Sequence, residues 1–263
     1  MTAARLMRKN AISRTLPLVV AHRGDSFDCP ENTVIAFASA LAAGVAGIEL
    51  DVRLSRDGVP LICHDATLRR FGGSTQSLRQ MTAAHIQAVD VGAWKNQRFV
   101  SQRVPTLDQV LTQCREVTLF IELKATNGPG RTAYHRRLLR AVVKVIAKQR
   151  AERRVCLLCF DRGVLQQISQ LAPTVRRVRN CERLPQDVNQ WLVRQPGLYA
   201  ACFDRRILTQ SVVDTCHDHT VQVFAWSAND ARAANRLQAL GVDAILSDRP
   251  ALVMRHLRGE YAT

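Results

Sequence analysis

Aromatic residues are scarce in this 263-residue chain, at 5%, and its 22 acidic residues are outnumbered by 37 lysines and arginines. No basic segment is interleaved with aromatics, which argues against a platform that stacks single-stranded bases on a row of rings. No apolar run approaches the roughly 20 residues of a membrane-spanning helix. Leu16 to Ala21 is too short for the apolar core of a signal peptide and runs straight into His22-Arg23, so a cytoplasmic location is expected. No short repeat is visible, which argues against a solenoid. Of eight cysteines only Cys156 and Cys159 stand in a C-x-x-C. They lie in Arg154 to Phe160, which reads as a buried strand, and residues three apart on a strand point to opposite faces. A shared zinc or disulfide is therefore not expected, and the cysteines read as reduced small hydrophobes.

What is present suits a large globular domain. Hydrophobic residues make up 47%, enough for a substantial core at this length. The net charge of +15 favours anionic partners such as phosphate esters, lipid surfaces or nucleic acid, but it identifies none of them. Residues 1 to 16 are basic and without periodicity and read as a tail.

Leu18 to Ala21 is a short apolar run suited to a buried parallel strand, and it ends in His22-Arg23-Gly24. Val34, Phe37, Ala38 and Leu41 keep the spacing of a buried helical face, with Asn32 as N-cap and Gly44 just past the end. With the strand from Gly47 to Val52 this makes a βαβ unit. Further buried strands are read at Thr118 to Lys124, Val155 to Phe160, Thr174 to Arg179, Tyr199 to Phe203, Val221 to Trp226 and Ala244 to Ser247. Helical segments separate them. Eight strands alternating with helices imply an α/β fold closed as a (β/α)8 barrel, a single domain over 17 to 263. Residues 66 to 103 lack clear periodicity and read as an insertion after the second barrel strand. The helical segment after Arg131 has an apolar stripe through Leu138, Leu139, Val142, Val145 and Ile146. Its opposite stripe, Arg136, Arg140, Lys144 and Lys148, reads as a solvated outer face.

Glu49 and Asp51 lie two apart on the second strand, on one face. Asp57-Gly58 then signals a hairpin. If those two residues form the loop, Arg56 faces Val59 and Asp51 lies opposite His64. Carboxylates and an imidazole on one face of an apolar strand pair need compensation, and a hard divalent cation supplies it. The active site of a (β/α)8 barrel lies at the carboxyl ends of its strands. Those ends carry His22-Arg23, Glu49, Asp51, Glu122, Lys124, Phe160-Asp161 and Trp226, and the hairpin returns His64 to them. A metal held by Glu49, Asp51 and Glu122 suits phosphodiester cleavage. Arg23 offers a fork to phosphate, Lys124 adds charge, and His22 and His64 could act as acid and base. His217 and His219 sit at the opposite end of the barrel, and His85, His135 and His256 are expected to be exposed on helices.

These residues resemble a known family. His22-Arg23-Gly24, Pro30-Glu31-Asn32-Thr33, Ile48-Glu49-Leu50-Asp51-Val52, Asp57-Gly58, His64-Asp65, Glu122-Leu123-Lys124 and Gly241 to Pro250 occur in the order found in the glycerophosphodiester phosphodiesterases. The resemblance runs from Leu18 to Pro250 and includes Val104 to Leu107 and Phe224 to Ser227. It implies a (β/α)8 barrel with a subdomain inserted after the second strand. It implies hydrolysis of glycerophosphodiesters to glycerol 3-phosphate and an alcohol with Mg²⁺ or Ca²⁺, through a cyclic phosphate that water opens. It also implies metal binding by Glu49, Asp51 and Glu122, acid–base roles for His22 and His64, phosphate contacts from Arg23 and Lys124, and Trp226 lining the pocket. The loop Asp25 to Cys29 departs from the small, Gly/Ala-rich segment common in the family. Two other readings are a lysophospholipase D for long-chain lysophospholipids and a barrel that binds phosphate esters or nucleic acid without turnover. The partner expected is a small-molecule substrate, with no obligatory nucleic acid; a homo-oligomer is left open.

Overall fold

The computed structural model describes residues 16–126 and 130–260; all but the last residue of the basic tail lies outside them. The strands are β1 (Leu18–His22), β2 (Gly47–Leu54), β3 (Pro60–Ile62), β4 (Thr118–Leu123), β5 (Val155–Cys159), β6 (Arg176–Cys181), β7 (Ala200–Asp204), β8 (Gln222–Trp226) and β9 (Ala244–Ser247). All but β3 pair in parallel, and β1 pairs with both β2 and β9, so the sheet closes into an eight-stranded barrel. Strands buried on both faces need apolar residues at both parities, which is why they read as runs. Val20, Phe120, Leu158, Val178, Phe224 and Leu246 fill the barrel interior. Phe120 and Phe224 meet edge to face at 5.6 Å. Their alternates, such as Val19, Ile48 and Ile121, face the outer helices. Cys156 accordingly points into the barrel and Cys159 into the outer layer, as parity requires. All eight cysteines are buried and unbridged.

The helices are α1 (Val34–Ala42), α2 (Ala83–Gln87), α3 (Leu107–Gln113), α4 (Arg131–Lys148), α5 (Arg162–Leu171), α6 (Val188–Val193), α7 (Gln210–Asp218), α8 (Ala231–Leu240) and α9 (Pro250–Leu257). Thr and Asp side chains cap most N-termini, and Thr106 forms a full capping box with Gln109. In α4, Leu138, Leu139, Val142 and Ile146 are buried, while Arg136, Arg140, Lys144 and Lys148 are exposed. Between β3 and α3 the chain makes short turns and α2 over a small core of Leu61, Leu68, Leu78, Met81, Ile86 and Val104.

Several expectations are corrected. Thr33, not Asn32, caps α1; its hydroxyl accepts from the Ala36 N–H. The sixth strand lies two residues later than Thr174 to Arg179, because Val175 is held in a turn by its bond to Ala172 O. His135 is buried rather than exposed, its Nε2 accepting from the Thr126 N–H at 2.9 Å. His256 is half-buried and contacts Asn235; His85 is exposed as expected.

The hairpin closes on three residues, not two. Ser55 and Val59 flank the loop, their backbone bond reinforced by the Ser55 hydroxyl, which accepts from the Val59 N–H at 2.9 Å. Gly58 sits at φ +85°, as the last position of such a loop demands. The register therefore moves by one, with Val52 opposite Ile62 and the Cys63 N–H bonded to Asp51 O. Asp51 faces Cys63 and not His64. Since β3 ends at Ile62, strand parity no longer governs His64, and its side chain still turns into the barrel mouth. The hairpin thus rises beyond the rim and drops back level with Asp51.

Gly24 fixes the turn that follows β1. It has φ +84°, and a Cβ there would lie 2.7 Å from the Ala36 carbonyl carbon of α1. Gly24→Ala is expected to cost about 2–4 kcal/mol, combining backbone strain with overpacking, as read by urea unfolding.

Candidate active site

Glu49 and Asp51 point from β2 into the barrel, and Glu122 on β4 is in register with Asp51. One oxygen from each lies within 4.8 Å of the others, and all three residues are buried. Asp51 is densely paired. Lys124 Nζ is 3.3 Å from it, Arg23 Nε is 3.2 Å away, and Asn32 donates at 2.8 Å. Glu122 takes Lys124 Nζ at 2.8 Å and Asn180 Nδ2 at 3.1 Å. Among the described residues, Glu49 has the Arg23 N–H at 3.2 Å and His22 Nε2 at 3.9 Å as its polar partners.

The ionisation follows from those partners. Burial would raise the Asp51 carboxyl, but Lys124 and Arg23 hold it well below the usual carboxylate range. Burial, then the Asp51 charge, push Glu49 up to about 8. The same two causes raise Glu122 despite Lys124. Clustered buried carboxylates with more negative charge than their neighbours offset are the donor set that a hard divalent cation fits.

Two histidines flank the cluster, each backed by a carboxylate. His22, at the end of β1, places Nδ1 2.6 Å from Asp248 Oδ1, just beyond β9. Asp248 is fixed in turn by Asn229 at 2.6 Å and the Ser26 hydroxyl at 3.1 Å. His64 places Nδ1 2.8 Å from Asp65 Oδ1, and Arg70 Nε donates to the other Asp65 oxygen at 2.9 Å. Arg53 holds the His64 carbonyl with two N–H groups, at 2.6 and 2.9 Å. Both imidazoles thus present Nε2 to the cavity. Burial pushes His22 down, but the Asp248 bond and the Glu49 charge outweigh it and its pKa is raised. Burial also pushes His64 down; Asp51 opposes this, Arg23 and Lys124 reinforce it, and its pKa is lowered.

The cavity between them holds about 270 Å³, and His22, Arg23, Glu49, His64, Glu122, Lys124 and Trp226 all line it. Asp51 lies against Arg23 and Lys124, which line it. Phe160 completes the wall, its ring 6.4 Å from Trp226, whereas Asp161 leaves the site to cap α5. Five supporting residues, Asn32, Glu31, Asn180, Asp248 and Arg70, escaped the sequence reading as parts of the site. Asn32 (φ +57°) grips both the side chain and the N–H of Asp51. Glu31 joins Arg23 to Arg70. Asn180 holds Glu122, and Asp248 holds His22. A carboxylate just past the last barrel strand was a usable signal for Asp248; Arg70, in an aperiodic stretch, carried none.

Comparisons with known proteins point to one family. A glycerophosphodiester phosphodiesterase of Caldanaerobacter subterraneus subsp. tengcongensis is 28% identical over 249 residues, 92% of this chain and 98% of that protein. The structure of an Oleispira antarctica phosphodiesterase in complex with the product sn-glycerol-3-phosphate superposes with a TM-score of 0.85 at 26% identity, covering 92% of this chain and 97% of that one. A putative glycerophosphoryl diester phosphodiesterase of Silicibacter pomeroyi gives 0.85 at 27% identity, covering 93% and 94%. Residues 22–252 match the model of one family from the first catalytic-site candidate to the last helix, and the chain is a member of it: the glycerophosphoryl diester phosphodiesterase family.

Proposed function

We propose that the protein hydrolyses glycerophosphodiesters to glycerol 3-phosphate and an alcohol, with a divalent cation held by Glu49, Asp51 and Glu122. The observation that carries this reading is the convergence of three buried carboxylates and two carboxylate-backed histidines on one cavity. A bound cation would supply polarisation of the phosphoryl oxygen. Mg²⁺ and Ca²⁺ both suit an all-oxygen set.

The remaining chemistry belongs to the side chains. Arg23, steered by Glu31, and Lys124 offset the charge of the phosphate and hold it between the histidines. His64, with its lowered pKa, is neutral at pH 7 and takes the proton of the attacking glycerol hydroxyl. His22, with its raised pKa, is the proton donor to the leaving alcohol. Attack closes a cyclic phosphate on the glycerol. Water then opens it with the roles exchanged: His22 accepts the water proton and His64 returns its proton to the glycerol oxygen. Trp226 and Phe160 form an apolar wall. Among the described residues no helix is long and apolar enough to cross a membrane, and a cytoplasmic location belongs to the same reading.

The test is glycerol 3-phosphate release from glycerophosphocholine and glycerophosphoethanolamine with Mg²⁺, Ca²⁺ or EDTA. Activity lost with EDTA and in Glu49→Ala is the expected result. No release from any glycerophosphodiester with either metal would sink the proposal.

A further inference from the structure

Beside the cavity mouth lies a row of side chains that the reaction does not use. Phe27, in the loop after β1, and Trp94, between α2 and α3, are 47% and 41% exposed. The Arg249 guanidinium lies 3.3 Å from the centroid of the Phe27 ring. Lys95 Nζ is 5.9 Å from each of the two rings. Arg70 sits 5.0 Å from Trp94, which packs on Phe71 at 5.9 Å. The two segments are tied together, because Lys95 donates to Ser26 O at 2.9 Å and Arg98 donates to Asp28 O at 3.2 Å. Val100, 50% exposed, belongs to the same segment as Trp94.

The row is anchored to the catalytic supports at both ends. The Phe27 N–H bonds Asp248 O at 3.0 Å, and Arg70 holds Asp65. It therefore runs along the mouth from the backing of one histidine to the backing of the other. Its acids are mostly spent: Glu31 is shared by Arg23 and Arg70, and Asp65 is paired with His64 and Arg70. Asp25 and Asp28, in the loop after β1, are outnumbered by Lys95, Arg98 and Arg249, so the row is net cationic. The rings already carry this chain's own cations, so a nucleobase or a quaternary ammonium would have to displace them to stack. Exposed rings set among lysine and arginine are instead the combination found where proteins meet a lipid headgroup layer, with rings at headgroup depth and cations at phosphates.

We propose that Phe27, Trp94, Lys95, Arg98 and Arg249 form a rim that docks on an anionic phospholipid surface and sets the cavity mouth against it. The proposal rests on the functional reading above only for the meaning of the mouth; docking itself is read without turnover. The loop from Asp25 to Cys29 then has a use for its departure from the family pattern: it carries the ring that enters the headgroup layer.

The experiment is co-sedimentation of the full chain with vesicles of phosphatidylcholine alone, or with about one third phosphatidylglycerol, at low and physiological salt. Binding to the anionic vesicles is expected to be roughly 10- to 100-fold stronger, since three rim cations contribute. Phe27→Ala/Trp94→Ala and, separately, Lys95→Glu are expected to remove most of that gain, about 10-fold or more. The control Arg140→Glu/Lys144→Glu, on the exposed face of α4, retains it. Turnover of soluble glycerophosphocholine stays at the wild-type rate in all of them. Should the aromatic double variant melt early, Lys95→Glu decides alone. Equal binding to both vesicle types overturns the proposal. So does equal loss in the α4 variant, or displacement of the vesicles by a single-stranded oligonucleotide that itself needs Phe27 and Trp94. A catalytic failure with intact docking would instead count against the functional reading alone.

Discussion

Asp51→Ala is expected to give an inactive protein that is also less stable by about 3–5 kcal/mol. Asp51 is the partner shared by Lys124, Arg23 and Asn32, at 3.3, 3.2 and 2.8 Å, inside a closed barrel. Its removal leaves Lys124 with Glu122 and Arg23 with Glu31, each half-compensated and largely out of water. An uncompensated buried charge costs more than the pair gained, because its desolvation is no longer offset. Asp51→Asn keeps the shape and the Asn32 contact but not the charge, so it should lose activity as fully and stability less. Urea unfolding read beside glycerol 3-phosphate release separates the two effects. Wild-type stability in Asp51→Ala would mean that Arg23 and Lys124 find other partners and that the network is not as rigid as its distances indicate.

His64→Asn and His22→Asn should each lower kcat by roughly 10²- to 10⁴-fold, and they should do so in different pH regions. The base must be deprotonated, so wild-type activity rises as pH climbs through the His64 value, which lies below 6.5. The acid must be protonated, so activity falls as pH climbs through the His22 value, which lies above 6.5. The profile is a bell. His64→Asn should erase its acidic limb and His22→Asn its alkaline limb, with the double variant far from additive. Exchanged limbs would reverse the roles assigned to the two rings. Both imidazoles are partly exposed at the mouth, so thermal melts should shift little, and a large stability loss would point to a structural role.

The alternation of apolar runs and helical stripes made the barrel legible in the sequence, because a strand buried on both faces has no choice but to be apolar throughout. The convergence of Glu49, Asp51, Glu122 and Lys124 at one end of the barrel was legible for the opposite reason. Glu49, Asp51, Glu122 and Lys124 are ionisable residues where strand ends ought to be apolar, and that departure marks them in the sequence. The hairpin register was not legible. Asp57-Gly58 fits a two-residue loop as well as the last two positions of a three-residue one, and the Ser55 hydroxyl decides between them. Asn32 was misread for a related reason: asparagine is a good helix cap and also tolerates φ > 0, and Thr33 beside it took the cap. Arg70 could not be found at all, since its partners Glu31 and Asp65 are 39 and 5 residues away and meet it only through the turns after β3.

The buried cysteines turn the protein into its own record of how it opens. Burial pushes the thiols of Cys63, Cys159 and Cys181 up to about 12 and that of Cys156 to about 11, so a disulfide-exchange reagent at neutral pH meets almost no thiolate in the folded chain. Each thiol reacts only when its own neighbourhood comes apart, and the eight are spread through different layers. Cys29 and Cys63 lie in the small clusters beside the mouth, Cys156 and Cys202 inside the barrel. The order in which they become labelled under native conditions would rank the layers by local opening free energy, with no introduced probe. Early reaction at Cys29 and Cys63 would identify the mouth as the part of the fold that breathes first.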